Sequence, residues 1–232
     1  MSTTHLVFDL DDTLYPEREY AIGGFRAAAA WAREALGVPI SAERMLQLLQ
    51  AGQLGKLFAT VLAEAKPEHS ADDLAGLVRA YGRHQPQLTL FPDAAEALQH
   101  WSSLGALGLI TDGHPRTQQS KLDALGIVPR FRHVILTGAL GPDRAFHKPH
   151  PRSFELMAAA LGGTGDRFVY IGDNPSKDFH APNALGWMTV QIDRPSQRMQ
   201  RIHRGERAPV GGEPQHVVAS LNELGAIVPT IT

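Results

Sequence analysis

Asp9 and Asp11 stand one residue apart at the end of an apolar run, in Val7-Phe8-Asp9-Leu10-Asp11-Asp12-Thr13-Leu14. Side chains alternate along a strand, so the two carboxylates are expected on one face. Like charges so placed repel unless something cationic compensates them. One chemistry uses such a pair: a carboxylate attacks phosphorus as nucleophile, while a second carboxylic acid protonates the leaving group and then activates water. Three later segments carry groups of use to that chemistry. Thr111-Asp112-Gly113 brings a hydroxyl and free backbone amides to the start of a helix expected from Pro115, an arrangement that cradles phosphate. Lys148, in Phe146-His147-Lys148-Pro149-His150-Pro151, sits between backbone-restricting prolines. Its ammonium could there neutralise a nucleophile and a phosphoryl oxygen together. Ile171-Gly172-Asp173-Asn174-Pro175-Ser176-Lys177-Asp178 follows a buried strand, and its carboxylates with Asp9 would form the oxygen-rich site that Mg²⁺ prefers. Singly, each piece reads as a turn, a solvated lysine or a helix cap; their joint order carries the argument.

The elements that must position these groups follow from hydrophobic periodicity. Residues 5–10 read as a buried strand. Residues 17–84 read as helical throughout, with Ser41 and Ser70 as caps and Gly37 as a stop. Beyond Pro86 the pattern alternates: helix 92–104, strand 107–111, helix 115–125, strand 133–136, helix 151–161, strand 168–172, helix 176–185, strand 187–192. Such alternation, with short apolar strands, predicts a parallel sheet covered on both faces. Functional groups in these sheets gather at the C-terminal ends of the strands, where Asp9, Thr111 and Asp173 fall. Residues 194–214 read as a polar loop, its basic run 194–207 as solvated, with a substrate-gating flap as the alternative, and residues 216–224 as a short strand with a capped helix. Gly162-Gly163-Thr164-Gly165 precedes a strand instead of following one, so it reads as a loop and not as a nucleotide-binding fingerprint.

Composition narrows the partners. With 22 Lys and Arg against 24 Asp and Glu, the near-neutral surface offers no electrostatic case for nucleic acid or an anionic membrane. The absence of cysteine excludes disulfides and thiolate chemistry. No secretory signal or membrane span is read, and a cytoplasmic protein, monomer or homodimer, is expected. His114, His147, His150 and His180 lie near motif ends, but no pair has helical ligand spacing with a third acid, so zinc is not expected. Trp31 and Trp101 fit the inner faces of helices. Tyr15, Arg18, Tyr20 and Arg26 could present groups to a substrate.

These four motifs, in this order at the ends of these strands, resemble those of the haloacid dehalogenase-like (HAD) superfamily over residues 5–192. The resemblance implies an α/β fold: a three-layer Rossmann-like parallel-sheet core, residues 1–14 and 87–232, with an inserted α-helical cap, residues 15–86. It implies Asp9 as the nucleophile that becomes an aspartyl-phosphate, Asp11 as general acid and then base, and Lys148 as charge neutraliser. Thr111, Asp112 and Gly113 would bind phosphate, Thr13 would fix the loop, and Asn174 and Asp178 would support the metal shell. Mg²⁺ would be held by Asp9, the Asp11 backbone carbonyl and Asp173. Dehalogenating members lack the second motif aspartate, since halide leaves without a proton. The presence of Asp11 therefore favours a phosphomonoesterase acting on a small phosphorylated metabolite, a sugar phosphate or nucleotide monophosphate. A phosphosugar mutase is the alternative; a 2-haloacid dehalogenase or a non-catalytic binding module is less favoured.

Overall fold

The structure is a computed structural model, and it describes residues 3–163, 165–202 and 207–228. The chain divides into two compact units, Met1–Pro16 with Thr89–Thr232, and Glu17–Leu88. The expected loop over 194–214 and the glycine-rich turn at 162–165 each lie partly outside the described residues.

The first unit is built on a six-stranded sheet: β1 (Thr4–Phe8), β2 (Leu107–Thr111), β3 (His133–Leu136), β4 (Arg167–Gly172), β5 (Met188–Ile192) and β6 (His216–Val218). Its spatial order is β3-β2-β1-β4-β5-β6, and every neighbouring pair is parallel. β1 lies in the interior, with Leu6 opposite Leu107 on one side and Val169 on the other. Among the described residues, five α-helices belong to this unit: α5 (Pro92–Leu104), α6 (Pro115–Leu125), α7 (Arg152–Leu161), α8 (His180–Ala184) and α9 (Leu224–Ile227). Val7, Ile110, Ile135 and Tyr170 on one sheet face pack with Phe154 and Met157 of α7. Gly108 permits that approach, because a Cβ there would lie 2.6 Å from Met157 Sδ. Parallel strands buried on both faces explain why β1, β2 and β4 read as continuous apolar runs.

The second unit is helical: α1 (Glu17–Trp31), α2 (Ala42–Gln50), α3 (Leu57–Ala65) and α4 (Ala71–Gly82). Gly37 stops the extension of α1 in a left-handed conformation, φ 68°. Ser41 caps α2, and Ser70 with Asp73 forms a capping box on α4. Tyr20, Phe25, Phe58 and Tyr81 form an aromatic cluster between helices, with Tyr20 edge-on to Tyr81 at 5.8 Å. No helix among the described residues is long and apolar enough to cross a membrane.

One expected element is shorter than its sequence pattern. The helix read over 176–185 is confined to His180–Ala184. Asn174 Oδ1 accepts from the Ser176 amide at 2.9 Å and from its hydroxyl at 2.8 Å, while Asp178 Oδ2 accepts from the Asn174 amide at 2.9 Å. Side-chain acceptors thus take the backbone donors that a helix would need.

Candidate active site

β1 ends at Phe8, but the Asp9 amide still donates to Ile171 O at 2.8 Å, so the carboxylate emerges in register with the end of β4. Asp9 is 1% exposed. Lys148 Nζ donates to Asp9 Oδ1 at 2.5 Å and to Tyr170 Oη at 2.9 Å, and lies 2.8 Å from Asp178 Oδ1. An ammonium has three donors, and these three partners account for them. The Thr13 hydroxyl faces Asp9 Oδ2 at 3.4 Å. Asp112 Oδ1 accepts from the Lys148 amide at 3.1 Å and from the Thr137 hydroxyl at 2.7 Å. The side chain of Asp112 therefore holds the loop that delivers Lys148, a different task from the phosphate contact expected of it. The Thr111 hydroxyl is fully buried at the end of β2, and Gly113 takes φ 132°, a conformation suited to glycine.

Carboxylate oxygens of Asp9, Asp173 and Asp178 lie within 4.8 Å of one another, all three residues buried. Burial, and then the charges of Asp178, Asp9 and Asp12, push the Asp173 carboxyl well above the usual range. Burial also raises Asp9, against the opposing charge of Lys148. Asp178 is buried too, yet Lys148, Lys177 and the Asn174 amide hold it below the usual range. Lys148 is kept protonated: Asp178 and Asp9 outweigh the burial that opposes its charge. Three clustered carboxylates against this positive charge leave room for another cation, and hard oxygen donors suit Mg²⁺.

Asp11 stands between the end of β1 at Phe8 and a turn at Asp12, φ 54°. Asp11 Oδ1 accepts from Lys121 Nζ at 2.7 Å and from the Tyr15 hydroxyl at 2.5 Å, and Oδ2 accepts from Gln118 Nε2 at 3.0 Å. Burial raises the Asp11 carboxyl, but Lys121, Tyr15 and Gln118 together bring it below the usual range. Tyr15, expected to face substrate, is buried on Asp11 instead.

Sequence reasoning also passed over Arg194. Read as part of a solvated stretch, it is buried, pairs with Asp93 at 3.0 Å, and lies over the Phe91 ring at 3.9 Å. Its guanidinium donates to the carbonyls of Asp12 at 3.3 Å and Thr13 at 3.1 Å, fixing the loop that follows the nucleophile. His114 and His150 accept backbone amides at the starts of α6 and α7, at 3.2 and 3.1 Å, which gives both a capping task. Trp101 is buried, whereas Trp31 is half-buried.

Residues 3–186 match the family described as haloacid dehalogenase-like hydrolase. The chain belongs to this family. A glyceraldehyde 3-phosphate phosphatase of Methanopyrus kandleri is 30% identical to this HAD-like hydrolase over 82% of the chain and 83% of its own length. A ribulose-1,5-bisphosphate 5-phosphatase of Halopiger xanaduensis is 28% identical over 97% and 99%. A phosphoserine phosphatase of Thermus thermophilus is 32% identical over 60% of the chain and 54% of its own length. Among solved structures, the magnesium-bound HAD-hydrolase YfnB from Bacillus subtilis covers 99% of the HAD-like chain, with all of its own length matched. Its TM-score is 0.71 at 18% identity, a likeness of fold.

Proposed function

We propose that this HAD-like hydrolase is a Mg²⁺-dependent phosphomonoesterase acting on a small phosphorylated metabolite, a sugar phosphate or a nucleotide monophosphate. The observation that carries the reading is the buried Lys148 ammonium, held between Asp9 and Asp178 at the C-terminal ends of β1 and β4. Asp9 attacks phosphorus, a P–O bond forms to its carboxylate, and the bond to the leaving oxygen breaks as Asp11 supplies that oxygen with a proton. Asp11, now a carboxylate, takes a proton from water, which attacks the aspartyl-phosphate, frees inorganic phosphate and restores Asp9. Thr111 and the Gly113 amide hold the phosphoryl oxygens, Lys148 neutralises the charge of Asp9, and Asp112 keeps Lys148 in place.

Asp9, Asp173 and the Asp11 backbone carbonyl would hold Mg²⁺, with Asp178 and Asn174 in support. When bound, it supplies the positive charge that lets a carboxylate approach a phosphate dianion. The helical unit Glu17–Leu88 corresponds to the family's inserted cap. The curated relatives act on small phosphate esters by name, which supports the substrate class without choosing a member.

The test is a panel of phosphorylated metabolites assayed with Mg²⁺ and with EDTA, using Asp9→Asn as control. Turnover is expected with Mg²⁺, none with EDTA, and none from Asp9→Asn with circular dichroism unchanged. An Asp9→Asn protein that keeps most of its turnover would overturn the nucleophile assignment.

A further inference from the structure

Asp11 is gripped from α6, an element outside the loop that carries it. Gln118 and Lys121 are three residues apart on that helix and so share a face. Both are buried, with side-chain exposure of 4% for Lys121 and a residue exposure of 1% for Gln118. A charged and an amide side chain on the inner face of a helix each cost desolvation unless well partnered. Their partners are the proposed acid/base and the proposed phosphate cradle. Lys121 Nζ is 2.7 Å from Asp11 Oδ1, and Gln118 Nε2 lies 3.0 Å from Asp11 Oδ2 and 2.5 Å from Thr111 Oγ1. One amide group therefore ties the carboxylate that meets the leaving group to the hydroxyl that meets the phosphoryl.

We infer that Lys121 and Gln118 are positioning residues for Asp11, setting its reach toward the leaving-group oxygen and hence the enzyme's tolerance of poor leaving groups. The inference rests on the phosphatase reading above. A carboxylate offers about four lone-pair positions. Lys121, Tyr15 and Gln118 occupy three, which leaves one direction for an exchanging proton. Because Gln118 also binds Thr111 Oγ1, that direction is fixed relative to the seated phosphoryl group. Without Lys121 the carboxylate has fewer fixed donors and more rotamers open to it.

The discriminating substrate pair is an alkyl phosphate, whose departing alkoxide requires a proton, and p-nitrophenyl phosphate, whose phenolate leaves without one. General acid catalysis contributes about 10²–10⁴-fold where it is needed. Lys121→Met should lower kcat/KM, which reports the step in which the leaving group departs, by roughly 100-fold on the alkyl ester and by less than about threefold on p-nitrophenyl phosphate. Gln118→Leu should show the same asymmetry in smaller measure, and Lys121→Arg should restore part of the alkyl-ester rate. Circular dichroism checks the fold. If Lys121→Met does not fold, Lys121→Gln carries the same comparison, since it removes the ammonium from Asp11 while leaving a polar side chain on a shorter stem. Parallel losses of kcat/KM on both substrates, or none on either, would overturn the positioning role while leaving the phosphatase reading intact. A wild-type protein that turns over neither ester overturns both.

Discussion

Replacing Arg194 by methionine tests whether the segment after β5 is a solvated loop or a clamp on the catalytic loop. The guanidinium makes three contacts of 3.0–3.2 Å with the Asp93 carboxylate, donates to two carbonyls, and covers the face of Phe91. Side-chain exposures of 6% and 14% for Arg194 and Asp93 put the pair out of reach of most solvent screening. Removing one partner of a buried ion pair costs about 3–5 kcal/mol, since the other charge is left uncompensated. Asp93 keeps the Leu221 amide at 2.9 Å and the Ser220 hydroxyl at 3.3 Å, which lowers the cost. The orphaned carbonyls of Asp12 and Thr13 raise it again, by about 1 kcal/mol or more each. The expected loss is about 4 kcal/mol, which in a chain of this size lowers the melting temperature by roughly 8–16 °C. Thermal melting by circular dichroism measures it, at low salt and in 1 M NaCl, where an exposed pair would be screened and a buried one would not. A cycle with Asp93→Asn should give a coupling above about 1.5 kcal/mol. A loss below about 1 kcal/mol that vanishes in salt is what a surface pair gives, and would refute the clamp.

Two further outcomes follow from local geometry. At Gly172 a Cβ would lie 2.6 Å from Asp178 Oδ2, and Asp178 is already fixed by Lys148 and the Asn174 amide. Gly172→Ala should therefore displace that carboxylate and cut phosphatase kcat by about 100-fold, the scale of a 1 Å misplacement; an unchanged rate would remove Asp178 from the site. Asp166 accepts from His5, the Thr3 amide and the Gly163 amide, and the His5 contact leads in lowering its pKa to about 2. A carboxyl lowered in the fold adds stability above its unfolded value and loses it as pH falls toward the folded one. Denaturant titrations of the wild type should thus show a steeper decline between about pH 4 and 2 than Asp166→Asn, and matching slopes in the two proteins would contradict the assignment.

The sheet was legible because buried parallel strands are short apolar runs separated by helices, so β1, β2 and β4 announced themselves. Asp9, Lys148 and Asp178 were legible as well, standing where strand ends meet turns. Gln118 and Lys121 were harder to see, although the sequence carried a signal. They share the α6 stripe of Leu122 and Leu125, and polar residues on an apolar stripe need partners. Those partners, Asp11 and Thr111, lie on other elements, and only the folded sheet brings them near. Arg194 was hidden by its company, since neighbouring basic residues suggested solvent and nothing local pointed to Asp93, 101 residues away.

The first unit closes on itself around the point where the helical unit enters and leaves. The Phe91 amide donates to Leu14 O at 2.9 Å, just outside the two junctions at Pro16 and Thr89. The intervening segment is thereby a detour whose ends are stapled together by the sheet-bearing unit alone, so its length adds little closure entropy. Such a junction works as a socket. Helical inserts of different size and lining can be exchanged there over evolutionary time, or grafted in the laboratory, without disturbing the register of β1 and β2. Asp9, Lys148 and Asp178 all lie in the sheet-bearing unit, so such an exchange leaves them where they are.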